Sequence, residues 1–517
     1  MSNARAAHAH STFTPCLLLL AGLTFVLALQ VAVAMAPLAQ KDERAHAAYA
    51  ITLADGRLPT IDTPIPDDPA HYPALTEVQA GEDAAHRSIW TANHPPLYYL
   101  MSVPLVWFGD AIGHPGATLF GMRALNGLGI ALSVLLVGLI ARELVPRRPM
   151  VPVLAAGFAT SCGAVGYVGG AIYNDGLATA AAFLALLMAL RIVRRGVDRR
   201  LLAVLVAASV AAAALRSSGL VAVAVAALAV LGSVLVRDRS RSAQWRAVCL
   251  AAVVGAVPAL AIGWFYVRNI RLYGDATASA ALFAKFGRIP DGSALSQLMS
   301  GGFYRHLVGS LWTDGDVGNI WGIAGALLMA ATAAGLLLEA WRRQARRTSP
   351  VVDEDRGDGE RRLTTLCWSL VGVYTAIEVA SVASFIAGGG WFHARYALPL
   401  LPLLGTLVAL ALLRLGRLVP QVRRTAGAGA RDLVVALPVA LAFVAVAVVC
   451  HVDTERHVDG VAHNATRAGL LVLGDLAVLA VAVSTVGALR RRLTPAGATH
   501  ASGAAPVSMG ARRAADG

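Results

Sequence analysis

Apolar residues in this chain come in long blocks broken by short polar intervals. Blocks of membrane length run near 15–38, 119–141, 150–172, 176–193, 201–215, 219–236, 247–267, 320–341, 363–387, 396–413, 433–450 and 468–488. About 20 apolar residues in a helix cross the hydrocarbon core of a bilayer. Backbone polar groups inside lipid must be paired within the segment, which favours helices. The pattern therefore predicts an all-α polytopic membrane protein, a single bundle of about twelve transmembrane helices. The blocks 201–215 and 219–236 are short and also fit a broken pair. No internal repeat suggests an inverted-repeat transporter.

Two polar intervals are long, 39–118 and 268–319. Within the first, 95–108 is apolar but too short to cross. Pro95 and Pro96 suit the first turn of a helix. The segment reads as a juxtamembrane helix at the interface, with Tyr98, Tyr99 and Trp107 as amphipathic anchors. The remaining parts are an N-terminal segment 1–14, an acidic loop 351–360, and a tail 489–517 whose Ala, Gly, Ser and Pro content predicts disorder.

Composition agrees with the block pattern. Hydrophobic residues make up 57% and charged residues 15%, with a mean hydropathy of +0.62. The net charge of +13 is almost all arginine, Lys41 and Lys285 being the only lysines. The arginines cluster in short intervals: Arg142/Arg147/Arg148, Arg194/Arg195/Arg199/Arg200, Arg237/Arg239/Arg241/Arg246, Arg342/Arg343/Arg346/Arg347, Arg423/Arg424 and Arg490/Arg491/Arg492. That is the positive-inside pattern, not a nucleic-acid surface. It places both termini in the cytoplasm and both long intervals outside. Ala34-Met35-Ala36 mimics a signal-peptidase site, but the preceding apolar run is longer than a signal h-region, so an uncleaved first helix is expected. Five cysteines lie in or beside apolar runs and form neither a metal-ligand pattern nor a disulfide framework.

Against this background a few polar residues stand out. Asp42 and Glu43 follow the first span, and if 42–55 is helical His46 lies one turn beyond Asp42 on the same face. Ionisable groups at the membrane edge are costly, which makes a functional role the default reading over a charged helix entry. Asn174-Asp175 lies in a short turn on the same side, where turn and N-cap chemistry is the competing explanation. An arginine-rich group on that side comprises Arg216, then Arg268 and Arg271 with Asn269 between them, and finally Arg395 flanked by His393 and Tyr396. Arginine suits bidentate phosphate recognition, and these run against the positive-inside trend that snorkelling at helix ends would leave intact. His451, Asp453, Glu455, His457, Asp459 and His463 read as a solvated polar loop in preference to a metal site. No Walker A or Rossmann motif is present. Carboxylates, arginines and aromatics meeting at the lipid boundary suit a lipid-phosphate substrate and a nucleophile that must lose a proton.

The motifs Asp42-Glu43-x-x-His46, His94-Pro95-Pro96-Leu97-Tyr98-Tyr99, Asn174-Asp175, Arg216-Ser-Ser-Gly219, Tyr266-Val-Arg268-Asn269 through Tyr273-Gly274-Asp275, and Arg395-Tyr396-x-Leu-Pro399-Leu-Leu-Pro402 occur in order over about 15–405. In them the chain resembles the GT-C superfamily of integral-membrane glycosyltransferases, in the lipid-carrier-dependent branch related to protein O-mannosyltransferases and aminoarabinose transferases. The resemblance implies a GT-C-like bundle and inverting transfer of a sugar from a polyprenyl-phosphate carrier. The acceptor would be a hydroxyl of a glycan, glycolipid or protein, on the outer face of the cytoplasmic membrane. By that likeness Asp42 is the general base and Glu43 a second catalytic acid that orients it. His46, His94, Tyr98, Tyr99, Arg216, Arg268, Asn269, Arg271, His393, Arg395 and Tyr396 contact substrate. Arg216, Arg268 and Arg395 neutralise the departing phosphate. No cofactor is required, but some relatives hold a divalent cation, and the equivalent pair here is Asp42 and Asp175. Many relatives carry a folded outer C-terminal domain that this chain does not show. Mannose and arabinofuranose are both plausible sugars. The rival readings are a transporter or flippase for a lipid-linked or anionic substrate, and a noncatalytic membrane scaffold or an envelope polymerase.

Overall fold

A computed structural model of the chain describes residues 2–40, 42–312, 320–347, 358–424 and 428–457, with isolated positions between 472 and 483. Among the described residues the secondary structure is helical apart from one isolated bridge, Pro64 to Ser88. Helix α1 (Ser2–Ala34) is followed by the first long interval, which folds into α2 (Glu43–Ala54), α3 (Pro73–Gln79) and α4 (Leu97–Ala111). Helices α5 (Pro115–Leu144), α6 (Met150–Ser161), α7 (Gly163–Gly169), α8 (Asp175–Arg195), α9 (Arg199–Leu215), α10 (Gly219–Arg237) and α11 (Arg241–Tyr273) continue the bundle. The second interval carries α12 (Ser279–Lys285), α13 (Ala294–Leu298) and α14 (Gly301–Gly309). Then come α15 (Ile320–Arg347), α16 (Asp358–Ala387), a 3-10 turn (Ala394–Leu400), α17 (Leu401–Gly416), α18 (Pro420–Arg424) and α19 (Ala428–His457).

Nine helices of the described residues are long and apolar enough to cross a membrane, ten if the pair α6–α7, bent by 63°, is one span. The protein is a multi-pass membrane protein. Of the expected spans, 201–215 falls short of that test because α9 has 17 residues, about 26 Å at 1.5 Å per residue. It is not half of a broken span. Asn174, at the start of α8, holds the carbonyl of Leu215 at the end of α9, while Arg237, ending α10, reaches the carbonyl of Val193 at the other end of α8. Helices α9 and α10 are therefore an antiparallel pair. The expected span 468–488 is described only at isolated positions.

The two ends of the bundle differ in chemistry. At one end Arg191, Arg194 and Arg195 converge on Glu143, Arg147 pairs with Glu360, and Arg417 pairs with Asp432. This gathers the arginine-rich intervals on one side. At the opposite end the first interval builds its own apolar core, with Tyr49, Ile61, Leu75, Trp90, Tyr98 and Tyr99 packed on Met122, Ile172 and Leu215. Helix α4 carries Leu100, Met101, Trp107 and Phe108 on an exposed face, as a helix bordering lipid should. Tyr98 and Tyr99 are not anchors on that face. Both are fully buried, because they lie on the side of α4 that packs on α2 and α5.

Several expectations fall outside the described residues: 351–357, Asp459, His463 and the tail 489–517. The backbone of 451–457 continues α19 as helix, whereas a loop was expected there; its side chains are not described.

Candidate active site

The chain leaves α1 at Ala34 and re-enters helix at Glu43, with Asp42 as the N-cap of α2. An N-cap aspartate ordinarily accepts from the backbone of its own helix. Asp42 makes no such bond. Its Oδ2 accepts a hydrogen bond from Nη2 of Arg395, 2.5 Å away across 353 residues of sequence. The Nη1 of the same guanidinium lies 3.8 Å from Oδ2 of Asp175. Arg216, at the end of α9, places Nη1 2.6 Å from Oδ1 of Asp175 and 3.1 Å from Oδ1 of Asn174. Two carboxylates and two guanidiniums thus alternate around one point. Asp175 also gains from its place in the first turn of α8, and Arg216 from its place after the last turn of α9.

Rings wall this cluster. The Arg395 guanidinium lies over Tyr173 at 5.0 Å and over Tyr396 at 5.4 Å. His393 meets both of those rings edge-on. His46 is buried, shares a 2.9 Å hydrogen bond through Nδ1 with the Tyr99 hydroxyl, and stacks parallel to His94 at 6.0 Å. Four buried polar atoms here have no hydrogen-bond partner among the described residues: His46 Nε2, the Tyr173 hydroxyl, Asp175 Oδ2 and Arg395 Nε. Buried polar atoms are normally paired, so these four atoms are unfilled hydrogen-bonding positions.

Burial alone would raise the Asp42 carboxyl, but the Arg395 guanidinium outweighs it and holds Asp42 well below the usual carboxylate range. Burial pushes His46 down to about 3, against a smaller opposing pull from Asp42, so its imidazole is neutral. His94 is lowered for the same first reason. Burial raises the Tyr99 and Tyr173 hydroxyls, which stay protonated.

Glu43 is different. Its oxygens accept from Nε and Nη2 of Arg123, each at 2.8 Å, from the backbone N–H of Ile172 at 2.8 Å and from that of Gln40 at 3.3 Å. Arg123 in turn donates to the carbonyls of Ala32, Met35 and Ala36, which end α1. The Glu43 carboxylate has a full set of fixed partners and no exposure. This arrangement suits an anchor between α1, α2, α5 and the turn before α8, in place of the second catalytic acid expected at this position. Asn126 completes the anchor, donating to the carbonyls of Val168 and Ala171 and accepting from Gly176 N–H. A Cβ at Gly176 would collide with the Asn126 backbone, and one at Gly129 with that of Gly176. The glycine after Asn174-Asp175 thus serves a helix crossing, not a left-handed turn.

The other expected site residues fall in two groups. His46, His94, Tyr99, Arg216, His393, Arg395 and Tyr396 join the cluster around Asp42. Arg268 and Asn269 instead stitch the two long intervals together: Arg268 donates to the carbonyl of Pro59, Asn269 to those of Asn93 and Ala276. Arg271 is exposed, and Tyr98 donates to the carbonyl of Met122 as a packing group. The pair Asp42 and Asp175 does not fit a divalent cation. A guanidinium already lies against both carboxylates, and no group of three or more metal-ligating side chains occurs among the described residues.

Among the buried ionisable residues that escaped the sequence reading are Arg123 in α5 and Glu378 in α16. A lone charge inside an apolar block was the signal available for both.

Among solved structures the chain is similar to ArnT from Cupriavidus metallidurans bound to undecaprenyl phosphate, at 15% identity and a TM-score of 0.42, over 91% of this chain and 75% of that one. It is also similar to the archaeal oligosaccharyltransferase AglB from Archaeoglobus fulgidus in complex with an inhibitory peptide and a dolichol-phosphate, at 13% identity and a TM-score of 0.45, over 86% of this chain and 56% of that one. The Archaeoglobus fulgidus oligosaccharyltransferase tethered with an acceptor peptide gives 18% identity, a TM-score of 0.46, and coverage of 85% of this chain and 55% of that one. No protein of curated function matches the sequence. Residues 76–404, more than half of the chain, match the family described as "Predicted membrane protein (DUF2142)", and the chain belongs to that family.

Proposed function

We propose that this member of the DUF2142 family is an inverting glycosyltransferase. It moves a sugar from a polyprenyl-phosphate carrier to an acceptor hydroxyl on the outer face of the cytoplasmic membrane, in assembly of envelope glycan or glycoconjugate. The observation that carries this reading is the convergence of Asp42, Asp175, Arg216 and Arg395, with unpartnered polar atoms between them, at the end of the bundle opposite the arginine-rich intervals. The positive-inside rule supports reading that end as the outer one. Sugar donors there are lipid-linked, and a lipid phosphate brings its anion to the membrane edge, where Arg216 and Arg395 stand.

In the step proposed, the acceptor oxygen attacks the anomeric carbon from the side opposite the phosphate. Its proton passes to Asp42. The bond between the anomeric carbon and the phosphate oxygen breaks, and the carrier leaves as a lipid monophosphate. Positioned proton transfer contributes about 10²–10⁴-fold. Arg395 and Arg216 offset the charge that grows on the leaving phosphate, in surroundings that exclude most water. The rings of Tyr173 and Tyr396 lie against the Arg395 guanidinium without occupying its N–H groups. No metal step is needed, because guanidiniums supply the positive charge.

The test is transfer from a panel of radiolabelled polyprenyl-phosphate sugars, mannose and arabinofuranose among them, by membranes containing the protein and a broad acceptor extract. Donor-dependent product supports the reading and names the sugar. Movement of labelled lipid between leaflets with no transferred product would overturn it in favour of a flippase.

A further inference from the structure

A general base must be basic enough to take the proton of the hydroxyl it faces. Asp42 keeps free lone pairs, since a carboxylate has about four acceptor sites. Its Oδ2, however, is held by Arg395 at 2.5 Å in a charge-assisted bond that makes the carboxylate a weaker base. The remaining ion pairs also close: Asp175 takes Arg216 at 2.6 Å and a longer contact to Arg395 at 3.8 Å. Two carboxylates balance two guanidiniums, so the cluster is neutral before any substrate arrives. An incoming phosphate adds negative charge and finds no spare cation in the cluster. It must take a guanidinium from a carboxylate.

Geometry says which one moves. Arg216 is tied to two acceptors, Asp175 and Asn174, and Asn174 is itself pinned to the carbonyl of Leu215. Arg395 has one short bond, one long contact, and an Nε with no partner among the described residues. Arg395 is therefore the looser of the two. We infer that the donor phosphate takes Arg395 from Asp42, so that the base is released only when the donor is bound. This rests on the glycosyltransferase reading and adds its regulation: donor binds before acceptor, and the resting site holds its own base in check. After transfer Asp42 carries the acceptor proton and passes it to water. The ionised carboxylate then competes with the lipid monophosphate for Arg395 and helps to expel it.

The exchange makes an unusual prediction for Asp42→Asn. Removing a carboxylate from the site should strengthen the binding of an anionic ligand, since Arg395 no longer has to leave a charged partner. Apparent affinity is the intrinsic affinity scaled by the fraction of competent protein. Undecaprenyl monophosphate, titrated into the protein in nanodiscs, should bind Asp42→Asn roughly tenfold more tightly than wild type. Asp42→Ser should shift the same way, and Arg395→Gln should weaken binding in both backgrounds. Equal or weaker binding by both Asp42→Asn and Asp42→Ser overturns the exchange. Inorganic phosphate is the second probe. A larger gain for the lipid than for the free ion supports a lipid headgroup, and a gain for the free ion alone overturns that. The titration needs no turnover, so it separates the two ideas. Wild type that fails to bind the lipid phosphate undermines the glycosyltransferase reading, while wild type that binds but gains nothing on substitution removes only the exchange.

Discussion

Asp42 and Glu43 are neighbours in sequence, both acidic, and each meets an arginine, yet they occupy opposite environments. Glu43 and Arg123 form a bidentate pair with 0% and 4% side-chain exposure, and backbone groups fill their remaining positions. Asp42 and Arg395 form a single short bond with 22% and 10% exposure, beside four polar atoms that have no hydrogen-bond partner among the described residues. A saturated buried ion pair is an anchor. It fixes where α1 stops and α2 starts, and removing one partner strands a charge. An unsaturated pair at the rim of a cluster of orphaned polar atoms is a place where a ligand can enter. The anchor holds the neighbouring carboxylate in position and leaves it free to react.

The largest expected effect tests the reactive half. Asp42→Asn should lower sugar transfer by about 10²–10⁴-fold, while its thermal unfolding in detergent stays close to that of wild type. The anchor should respond the other way. Arg123→Ala leaves Glu43 buried without its partner and should cost about 3–5 kcal/mol, read as loss of folded protein in size-exclusion and thermal-shift measurements. Next is pH. The folded pKa of His46 is lowered to about 3 from 6.5, so between those values the unfolded chain binds more protons than the folded one. Stability should be fully present above about pH 6.5 and fall on acidification, by about 1.4 kcal/mol per pH unit for one such histidine. His94, shifted in the same direction, should steepen the fall, and His46→Phe should flatten it. The smallest effect is expected at Arg271. It is exposed and outside the cluster, and Arg271→Ala should change stability by no more than about 0.5 kcal/mol and leave transfer intact.

The sequence disclosed the class of the protein and much of the cluster, for identifiable reasons. Apolar blocks report helices directly. A charge at the membrane edge is conspicuous because lipid penalises it, which is why Asp42, His46, Asp175, Arg216 and Arg395 could be picked out before any coordinates. What the sequence could not divide was the pair Asp42-Glu43, because both residues have the same chemistry. Their difference comes from Arg123, 80 residues away, and Arg123 was hidden inside a long apolar block. Arg268 and Asn269 show the converse. Their residue types suit phosphate recognition, but the fold gives them the carbonyls of Pro59, Asn93 and Ala276. Pairing between segments so distant in sequence leaves no local signal. Tyr98 and Tyr99 were misread as anchors because the side of α4 that meets the bundle depends on where α2 packs.

The most direct test of the contrast measures sugar transfer per folded molecule for Asp42→Asn and Glu43→Gln side by side, in nanodiscs, with the donor that wild type accepts. Asp42→Asn should fold and be inactive, whereas Glu43→Gln should yield less folded protein whose surviving molecules keep most of their activity. A Glu43→Gln protein that folds normally and is inactive, beside an Asp42→Asn protein that still transfers sugar, would contradict the contrast.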